Sequence, residues 1–594
     1  MIHRRDLLTS LSALAVGTPA LHRAIVVAVE QDDGELTKES LDNAQWICGL
    51  ELTDEEQQSI LNEVKSNTQQ IDAMRDSEIS ALQAPAFHFT PLTNRKPILQ
   101  SPARSIRLSE DSAPELPQSD EAIAFLSVSE LSPLVKSKKL TSRKLTQIYL
   151  ARLKKYGDML RCVISLLEES ALKHADAMDA EISAGRYRGP LHGIPWGAKD
   201  LIDIEGTKTS WGIPYHENRD SETTATVAER LNDAGAVLVA KLSLGALAMG
   251  DKWFGGRTRN PWNPTKGSSG SSAGSASAVV AGLVGFTLGS ETLGSITSPS
   301  RVCGASGFRP TFGRVSRHGC MPLSWTMDKI GPLCRSAEDC ALVFNAIHGA
   351  DGRDQSTYTY NFQWPGEVDF RKLRVGHVPR RKIESNQTLK QFKDLGCEMV
   401  PFELPQFGSL RAMASIINIE ASSVFDRLLR DGETEGWNRW PASLRAAQFI
   451  SAVDYLRIQR QRFDLMEAVE EKLKDVDVIV DVRDVFHTNL TGHPSIVVPT
   501  RYRKLKSGGT VPICSTFTGQ LGDDDRLLAI AHKFQQHCDG HLQHPELDSW
   551  LEKFEAGSMD AAPKKKEKTE EKPKVEKADE AEKKSDVEMG KSSK

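Results

Sequence analysis

The sequence predicts an α/β fold in which helices pack on a buried sheet. Amphipathic segments such as SRKLTQIYLARLKKYG, residues 142–157, alternate with short apolar runs such as AVLVA and DVIVDV. Apolar residues at helical spacing indicate helices, whereas short apolar runs indicate buried strands. A chain of 594 residues with 39% hydrophobic content can bury a large core. Helices that alternate with buried strands are typical of an α/β sheet domain.

The first 28 residues predict a twin-arginine export signal. Arg4 and Arg5 precede a modest apolar segment, and a basic start ahead of a short apolar region is typical of exported proteins. No clean A-x-A cleavage site follows, so an ordinary amphipathic helix and an uncleaved anchor stay open as alternatives. We therefore expect a periplasmic or otherwise exported protein, with the cytoplasm as the alternative location.

Three further segments differ in composition. Residues 29–119 are polar, with helical spacing at positions 46–74 and a Pro-rich stretch, which predicts a helical extension and a linker. We expect the helix around Trp46 to pack on the core. Residues 120–555 carry the α/β pattern. Residues 556–594 have no aromatic side chain and many interspersed Lys and Glu, which predicts a disordered tail.

Composition also argues against several kinds of partner. The formal net charge of −5 provides no basic excess for binding a phosphate backbone, so we expect no nucleic-acid partner. The nine scattered cysteines have neither zinc-site spacing nor the density of a disulfide scaffold, and we expect no bound metal. The sequence contains no run of 18 or more apolar residues, so we expect no membrane-spanning helix.

The segment from Gly267 to Gly304, GSSGSSAGSASAVVAGLVGFTLGSETLGSITSPSRVCG, is the most distinctive part of the chain. A Gly/Ser run is usually a flexible linker. This run, however, follows NPWNP and leads directly into AVVAGLVGFTLG, which has the composition of a core. Small residues and hydroxyls at a helix start suit a backbone held close to a substrate. The segment therefore predicts a functional site.

One interpretation of this segment is a nucleophile elbow. Residues 270–274, GSSAG, match the G-x-S-x-G pattern that would make Ser272 the nucleophile of an α/β-hydrolase. That pattern requires a strand immediately before the serine, and Pro261, Pro264 and Gly267 disfavour one. No HGGG-type oxyanion segment precedes it. We therefore favour a different nucleophile.

From about Asp120 to Leu551 the chain resembles the amidase signature family. The motifs run in the family's order from GPLHGIPWGAKDLIDIEG, through the Gly/Ser segment, to GFRPTFGRVSRHGCMPLSWTMDKIGPLCRS. The resemblance implies the amidase signature fold, a central mixed β-sheet covered on both faces by helices. It also implies a catalytic triad in which Ser295 is the nucleophile, Ser271 the bridging serine and Lys199 the base. As in the family's pattern, 24 residues separate the two serines.

The resemblance further implies a mechanism. Lys199 draws a proton through Ser271 from Ser295, which attacks an amide carbonyl to form an acyl-enzyme, and Ser272 has a supporting role. The peptide bond between Gly270 and Ser271 is expected to be cis. The substrate is a small-molecule amide, and no cofactor is implied. Backbone N–H groups of four residues are expected to hold the oxyanion: Thr292, Leu293, Gly294 and Ser295.

Lysine can act as the base only when it is neutral. Its ordinary pKa of about 10.4 must fall by roughly 2 to 3 units, and burial away from carboxylates lowers the pKa of an amine. We expect this burial to come from the apolar residues near Lys199 in the sequence, which are Ile194, Pro195, Trp196, Ala198, Leu201 and Ile202.

The chain departs from the family at the nucleophile motif. The usual G-T-D-T-G-G-S-I-R reads G-S-E-T-L-G-S-I-T here, so Glu291 replaces an aspartate, Leu293 a glycine and Thr297 an arginine. We expect Leu293 to restrict the backbone, because only glycine enters left-handed conformations without penalty. Loss of the arginine at Thr297 is expected to remove an ion pair or a substrate contact.

Three other residues have no catalytic role in this interpretation. Trp253 and Phe254 could line a pocket, but buried aromatic side chains are more often ordinary core, so we leave them unassigned. Cys303 lies in a Cys-Gly pair and is expected to be a buried structural thiol.

The family offers more than one function. A free amidase is the first hypothesis, because an export signal argues against a cytoplasmic tRNA-linked subunit. The second is an A-type subunit of a glutamine-dependent amidotransferase, which supplies ammonia. The third is a non-catalytic binding protein on the same fold.

Overall fold

The computed structural model describes residues 36–48, 50–75, 106–110, 112–379, 382–408, 410–482, 485–505 and 510–558. The expected export signal, residues 1–28, lies outside these ranges, as do most of the expected linker and the expected tail beyond residue 558. No helix within the described ranges is long and apolar enough to cross a membrane.

Seventeen α-helices occur in the described residues. They are α1 (Lys38–Ala44), α2 (Asp54–Arg75), α3 (Asp120–Phe125), α4 (Val128–Lys136), α5 (Ser142–Leu160), α6 (Glu168–Ser183), α7 (Thr226–Asp233), α8 (Ala273–Val280), α9 (Thr297–Cys303), α10 (Ala337–Ile347), α11 (Gln387–Asp394), α12 (Leu410–Arg430), α13 (Trp440–Ala447), α14 (Ala452–Leu473), α15 (Val485–Leu490), α16 (Asp524–Gln535) and α17 (Asp548–Glu555).

The strands of the described residues number fifteen. They are β1 (Val163–Leu166), β2 (Pro195–Lys199), β3 (Val237–Leu242), β4 (Lys252–Trp253), β5 (Gly256–Arg257), β6 (Arg259–Asn260), β7 (Asn263–Gly267), β8 (Phe286–Glu291), β9 (Ser306–Arg309), β10 (Lys329–Cys334), β11 (Arg374–His377), β12 (Glu398–Pro401), β13 (Val478–Val480), β14 (Ser495–Lys504) and β15 (Thr510–Thr518).

Eleven of these strands form one mixed sheet, in the order β1-β3-β2-β8-β10-β9-β14-β15-β13-β11-β12. Strand β2 runs parallel to both of its neighbours, β3 and β8. Strand β8 is antiparallel to β10. The runs AVLVA and DVIVDV fall on β3 and β13, as the sequence predicts.

Helix α5 follows directly from its sequence. Thr141 caps the first turn, because its hydroxyl accepts a hydrogen bond from the Lys144 N–H at 3.0 Å. Leu145, Tyr149 and Leu153 recur every four residues and are all buried. The helix predicted over residues 142–157 is therefore confirmed, and it continues to residue 160.

Helices cover both faces of the sheet. Successive side chains of a strand point to opposite faces. On β3, Val237 and Val239 pack into a core with side chains of α5, α6 and α8, whereas Leu238 packs against the other core, which contains residues of α7 and α10. The predicted α/β fold, a mixed sheet between two helical layers, is confirmed.

The N-terminal helices α1 and α2 pack against α13. Ile60 and Val64 of α2 contact a small buried cluster that includes Ala446, and Arg445 pairs with Glu56 at 2.5 Å. Trp46 differs from expectation, since 55% of its surface is exposed. The turn that contains Trp46 presents its ring to solvent, and the apolar face of α2 makes the contact instead.

Candidate active site

Strands β2 and β8 bring the first site residues together. Lys199 is the last residue of β2, and Ser290 lies one residue before the end of β8. Because the carboxyl ends of adjacent parallel strands meet at one edge of a sheet, these side chains are neighbours. Lys199 Nζ donates a hydrogen bond to Ser290 Oγ at 2.8 Å.

The Gly/Ser segment passes across the same edge. Lys199 Nζ lies 2.8 Å from Ser271 Oγ and 3.1 Å from Ser272 Oγ. The peptide bond between Gly270 and Ser271 is cis, as expected. A side chain at Gly270 would place its Cβ only 1.8 Å from the carbonyl oxygen of Gly250. Glycine is therefore required where this segment approaches its neighbour.

Ser295 lies in the turn between β8 and α9. Its carbonyl oxygen accepts a hydrogen bond from the Ser272 N–H at 3.1 Å, which fixes the turn against the Gly/Ser segment. The residue is half-buried. Within the described part of the chain, Ser295 Oγ has no hydrogen-bond partner. The fold thus joins the segments that carry Lys199, Ser271 and Ser295.

The turn at 292–295 presents unused backbone donors. No oxygen atom of the described residues accepts a hydrogen bond from the backbone N–H groups of Thr292, Leu293, Gly294 or Ser295. The left-handed position of this turn is Gly294, with φ 84°. Leu293 does not have a positive φ, so the expected restriction of the backbone by Leu293 is wrong. The conformation that needs glycine falls one residue later.

Glu291 ties the residues after Ser295 to the sheet. Its Oε2 accepts hydrogen bonds from the Ile296 N–H and the Thr297 N–H, both at 2.8 Å, and from Thr297 Oγ1 at 3.1 Å. Its Oε1 accepts from Arg309 Nη1 at 2.7 Å and from Asn489 Nδ2 at 2.9 Å. Although Thr297 replaces the family's arginine, the buried carboxylate keeps an ion pair, which Arg309 of β9 supplies.

The charge on Glu291 is stabilised in place. Burial raises the pKa of this carboxyl, but the positive charge of Arg309 opposes burial, and the net result is a pKa of about 2. Glu291 is therefore ionised at neutral pH and accepts hydrogen bonds with both oxygens.

Burial dominates the protonation of Lys199. Full burial lowers the pKa of its ammonium from the ordinary 10.5 to about 7, while the carboxylates Asp328 and Glu291 oppose this shift. The six apolar neighbours expected to desolvate Lys199 are all buried. Contrary to expectation, carboxylates do lie near enough to act on the base, but desolvation outweighs them.

A second buried lysine, Lys241, pairs with the carboxylate of Asp200, which follows Lys199 in the chain. Lys241 Nζ lies 3.0 Å from Asp200 Oδ1, and neither side chain has any exposed surface. Asp200 Oδ2 also accepts from the Ser210 N–H at 2.8 Å and from its hydroxyl at 2.5 Å. The negative charge beside Lys199 is therefore already paired.

The α/β-hydrolase interpretation requires a strand that leads directly into Ser272, and residues 268–271 are not part of a strand, as expected. A short strand, β7, does form further upstream, at Asn263–Gly267, despite Pro264. It pairs only with β6, in a separate two-stranded sheet where the missing N–H of a proline is tolerated. Residues 268–270 separate β7 from Ser271. No histidine of the described residues hydrogen-bonds to the serines of this site, so a strand–serine–histidine arrangement is not formed.

Comparison with known proteins identifies the family of the chain. The Amidase family profile matches residues 144–480. The chain belongs to the amidase family. It is 30% identical over 487 residues to the A-type subunit of glutamyl-tRNA(Gln) amidotransferase from Coxiella burnetii, a match that covers 71% of this chain and 99% of that protein. The family assignment makes the chain a hydrolase of carbon–nitrogen amide bonds, as the sequence predicts.

Solved structures of amidases superpose on most of the chain. The native peptide amidase of Stenotrophomonas maltophilia matches with a TM-score of 0.62 and 28% identity, over 71% of this chain and 98% of that one. An amidase family protein of Bacillus anthracis has a TM-score of 0.64 at 23% identity, over 73% of this chain and 95% of that one, and shares the fold.

A cavity of about 250 Å³ in this amidase is lined by Ser290, which contacts Lys199. Thr292 also lines it, and Leu201, Leu323 and Trp325 are among its apolar lining residues. Trp253 and Phe254 lie outside this lining, and their rings contact each other edge to face with centroids 4.8 Å apart.

The other residues considered from the sequence are structural. Cys303 of the amidase is a buried free thiol whose pKa burial raises well above its ordinary value. Its Sγ lies 3.6 Å from the Ser268 carbonyl oxygen. Among the described residues, no group of three or more His, Cys, Asp or Glu side chains could hold a metal ion.

Sequence reasoning missed several contacts of the amidase site. Ser290 belongs to the GSE string before the nucleophile motif, and only its position on β8 shows that it contacts Lys199. Asp328 lies in the TMDKIGP string, which carries the family resemblance but assigns it no role. Its Oδ1 accepts from Thr292 Oγ1 at 2.6 Å. An isolated serine or aspartate carries no sequence signal for such a contact.

Proposed function

We propose that this amidase cleaves an amide other than a peptide bond, giving an acid and ammonia or an amine, through an acyl-enzyme on Ser295. Lys199 is the base and Ser271 carries the proton between them. The observation that supports this most directly is the 2.8 Å contact between Lys199 Nζ and Ser271 Oγ. Burial lowers the pKa of Lys199 to about 7, so a substantial fraction is neutral at physiological pH.

The proposed proton path runs through three groups. Neutral Lys199 accepts the proton of the Ser271 hydroxyl as Ser271 Oγ takes the proton of Ser295. The Ser295 oxygen bonds to the amide carbonyl carbon, and the carbon–nitrogen bond then breaks while Ser271 returns a proton to the leaving nitrogen. Water attacks the acyl-enzyme by the same route and releases the acid, which restores both serines.

The turn after β8 supplies the proposed oxyanion site. Backbone donors at 292–295 have no acceptor among the described residues, and Glu291 anchors the chain immediately after Ser295 through the N–H groups of Ile296 and Thr297. Preorganised donors of this kind contribute roughly 3 to 4 kcal/mol each to stabilising the transition state. Ser272 supports the base, because its Oγ contacts Lys199 and accepts from the Ser290 N–H at 3.1 Å.

Export belongs to the same proposal. The paired Arg4 and Arg5 ahead of an apolar segment support a twin-arginine signal in residues 1–28 and a periplasmic location. N-terminal sequencing of protein from its native cells tests this. A mature chain that begins at Met1 contradicts cleavage, and a cytoplasmic location by fractionation contradicts export.

The second candidate is an amidotransferase A-type subunit. The likeness to such a subunit over 99% of that protein's length favours it. Ammonia release from glutamine that depends on partner subunits identifies this function, whereas hydrolysis of simple amides by the purified chain alone identifies a free amidase. A chain that releases neither ammonia nor amine from any amide is the non-catalytic binding protein.

Covalent labelling with a fluorophosphonate tests the nucleophile. Ser295→Ala is expected to abolish labelling while the protein stays folded, as judged by circular dichroism. Ser298→Ala is the matched control, because Ser298 lies three residues away and its hydroxyl lies 2.8 Å from the Ser269 hydroxyl rather than against the base. Labelling that survives in Ser295→Ala and disappears in Ser272→Ala would transfer the nucleophile to the α/β-hydrolase interpretation.

A further inference from the structure

We propose that the cavity beside Ser290 binds an uncharged amide with an apolar, preferably aromatic, group, and that Trp325 selects this group. The proposal rests on the proposed function, because it names the substrate class of the same site. It separates the free-amidase hypothesis from the glutamine-using one, since glutamine carries both an α-ammonium and an α-carboxylate.

The cavity joins directly to the proposed catalytic groups. Ser290 lines it, and Ser290 Oγ accepts a hydrogen bond from Lys199 Nζ at 2.8 Å. Thr292, the first residue of the proposed oxyanion turn, also lines it. The volume of about 250 Å³ is slightly below the roughly 300–1,000 Å³ of pockets that hold drug-sized ligands. A small substrate bound here therefore lies against Ser290 and Thr292.

The cationic Arg317 in the cavity wall is already paired. Its Nε and Nη2 donate to the two carboxylate oxygens of Asp354, at 2.9 and 3.0 Å. Nη2 also donates to Ser356 Oγ at 2.7 Å, and Nη1 donates to the Trp325 carbonyl at 2.5 Å. A bidentate pair with two further hydrogen bonds leaves little capacity for a substrate carboxylate.

The other two charged side chains of the lining, Asp328 and Arg353, also have partners within the protein. Asp328 accepts from Thr292 Oγ1 through Oδ1 at 2.6 Å, and from the N–H groups of Leu323 and Ser324 through Oδ2 at 2.8 and 2.9 Å. Arg353 forms two hydrogen bonds to the carboxylate of Glu229. A charged substrate group would thus have to compete with the hydrogen bonds of the buried Asp328, and leaving a buried donor or acceptor without a partner costs about 1 to 3 kcal/mol.

One polar ring of the lining remains available. His318 lines the cavity, and within the described residues its ring makes no hydrogen bond. A single imidazole in the cavity lining suits the neutral oxygen or nitrogen of an amide. It does not provide the two opposite charges that an amino acid requires.

Trp325 is the large apolar side chain at the cavity that is not packed into the core. It is 47% exposed. Hydrogen bonds hold the residues on either side of it. Glu420 accepts from Ser324 Oγ at 2.7 Å and from Thr326 Oγ1 at 2.8 Å. Arg462 Nη2 donates to the Thr326 carbonyl at 2.7 Å. The backbone that carries the exposed indole is therefore held in place, and the ring offers an apolar surface to a ligand.

Steady-state kinetics on the full chain test the substrate class. We expect kcat/KM for 3-phenylpropionamide to exceed that for glutamine by at least about 100-fold, because unmatched charges are rejected more strongly than missing methylene groups. Trp325→Ala is expected to lower kcat/KM for 3-phenylpropionamide about 10- to 100-fold, mainly through KM, with a smaller loss for acetamide. Trp325→Phe should retain most of the preference.

A matched control and a binding measurement make the result unambiguous. Trp46→Ala removes a tryptophan that is 55% exposed but lies outside the cavity lining, and it should change neither kinetic constant. Calorimetric binding to Ser295→Ala compares the two ligands without turnover. Tighter binding of glutamine, or an unchanged KM in Trp325→Ala, overturns this inference even if Ser295 is labelled. If the fluorophosphonate does not label the native protein at all, the proposed function is overturned, whichever ligand binds more tightly.

Discussion

The ammonium group of Lys241 lies 3.0 Å from the carboxylate of Asp200, and both side chains are completely buried next to Lys199, the proposed base. Removing one member of a buried pair leaves an uncompensated charge, which typically costs about 3 to 5 kcal/mol. Lys241→Met is therefore expected to lower the free energy of unfolding by about 3 kcal/mol or more, as measured by urea denaturation.

The matched control for this pair is the double variant Lys241→Met/Asp200→Asn. Asparagine keeps an acceptor oxygen for Ser210 but carries no charge, so the double variant should recover part of the lost stability. If the single variant is as stable as the native protein, the pair is not an essential compensation for the buried carboxylate.

The rate of amide hydrolysis should rise with pH. Because burial lowers the pKa of Lys199 to about 7, the fraction of neutral base increases through that pH and then saturates. We expect kcat/KM for a substrate without titratable groups to rise with a midpoint near neutrality. A profile that is already flat above about pH 6 contradicts a lysine base.

The same shift predicts how stability depends on pH. The folded-state pKa of Lys199, about 7, is below the ordinary value of 10.5 that applies to the unfolded chain. Between these values the unfolded state binds more protons, so this group's contribution to the free energy of unfolding increases as pH rises from 7 to 10.5. The stability of Lys199→Met relative to the native protein should accordingly fall over this interval. If the stability difference between the two proteins does not change with pH, the pKa of Lys199 is not lowered in the folded state.

Glu291 is expected to act on the rate rather than on substrate binding. Glu291→Gln replaces one acceptor oxygen by an NH2 group that donates and cannot accept, which disturbs either the hydrogen bonds from the N–H groups after Ser295 or the pair with Arg309. Displacement of a reacting group by about 1 Å can cost about 100-fold, so we expect kcat to fall by about that factor with KM little changed.

Thr297→Val provides the comparison for Glu291. It removes only the 3.1 Å hydroxyl contact and keeps the backbone donor at 2.8 Å. Its effect on kcat should be much smaller. Equal losses in the two variants would show that the hydroxyl, not the carboxylate, positions the turn.

The C-terminal tail should be dispensable. Deleting residues 559–594 is expected to leave turnover unchanged and the melting temperature within about 1 °C, because a highly charged segment without aromatic residues buries little surface. A chain ending at Pro545 is the control. It also loses the buried Leu547 and the 2.6 Å hydrogen bond from Tyr156 to Asp548, so it should melt at a lower temperature. Loss of activity in the shorter deletion contradicts the boundary of the core.

The elements with strong periodicity can be predicted from the sequence, but their pairing cannot. The apolar runs on β3 and β13 and the amphipathic pattern of α5 identify strands and a helix, because burial on one face sets the period. The pairing of β2 with β8 joins segments about ninety residues apart, for which local pattern carries no information. The proline of short β7 argues against a strand, although an edge strand tolerates a missing N–H.

At the candidate site, motif order indicates Lys199, Ser271 and Ser295, and the fold brings their segments together. The contacts that hold the motif come from elsewhere: Asn489, which bonds to Glu291, lies 198 residues away in the chain. Such long-range partners have no local signature, so neither the ion pair of Glu291 with Arg309 nor the shape of the cavity could be derived from the sequence.

The wall that carries Trp325 is anchored to α12 and α14 through Glu420 and Arg462, whereas Lys199 and Ser290 stand on the sheet. Sequence divergence in those two helices can therefore change substrate specificity while the proposed catalytic residues stay the same. A library of variants confined to α12 and α14 would accordingly change substrate preference while the catalytic groups on the sheet are kept.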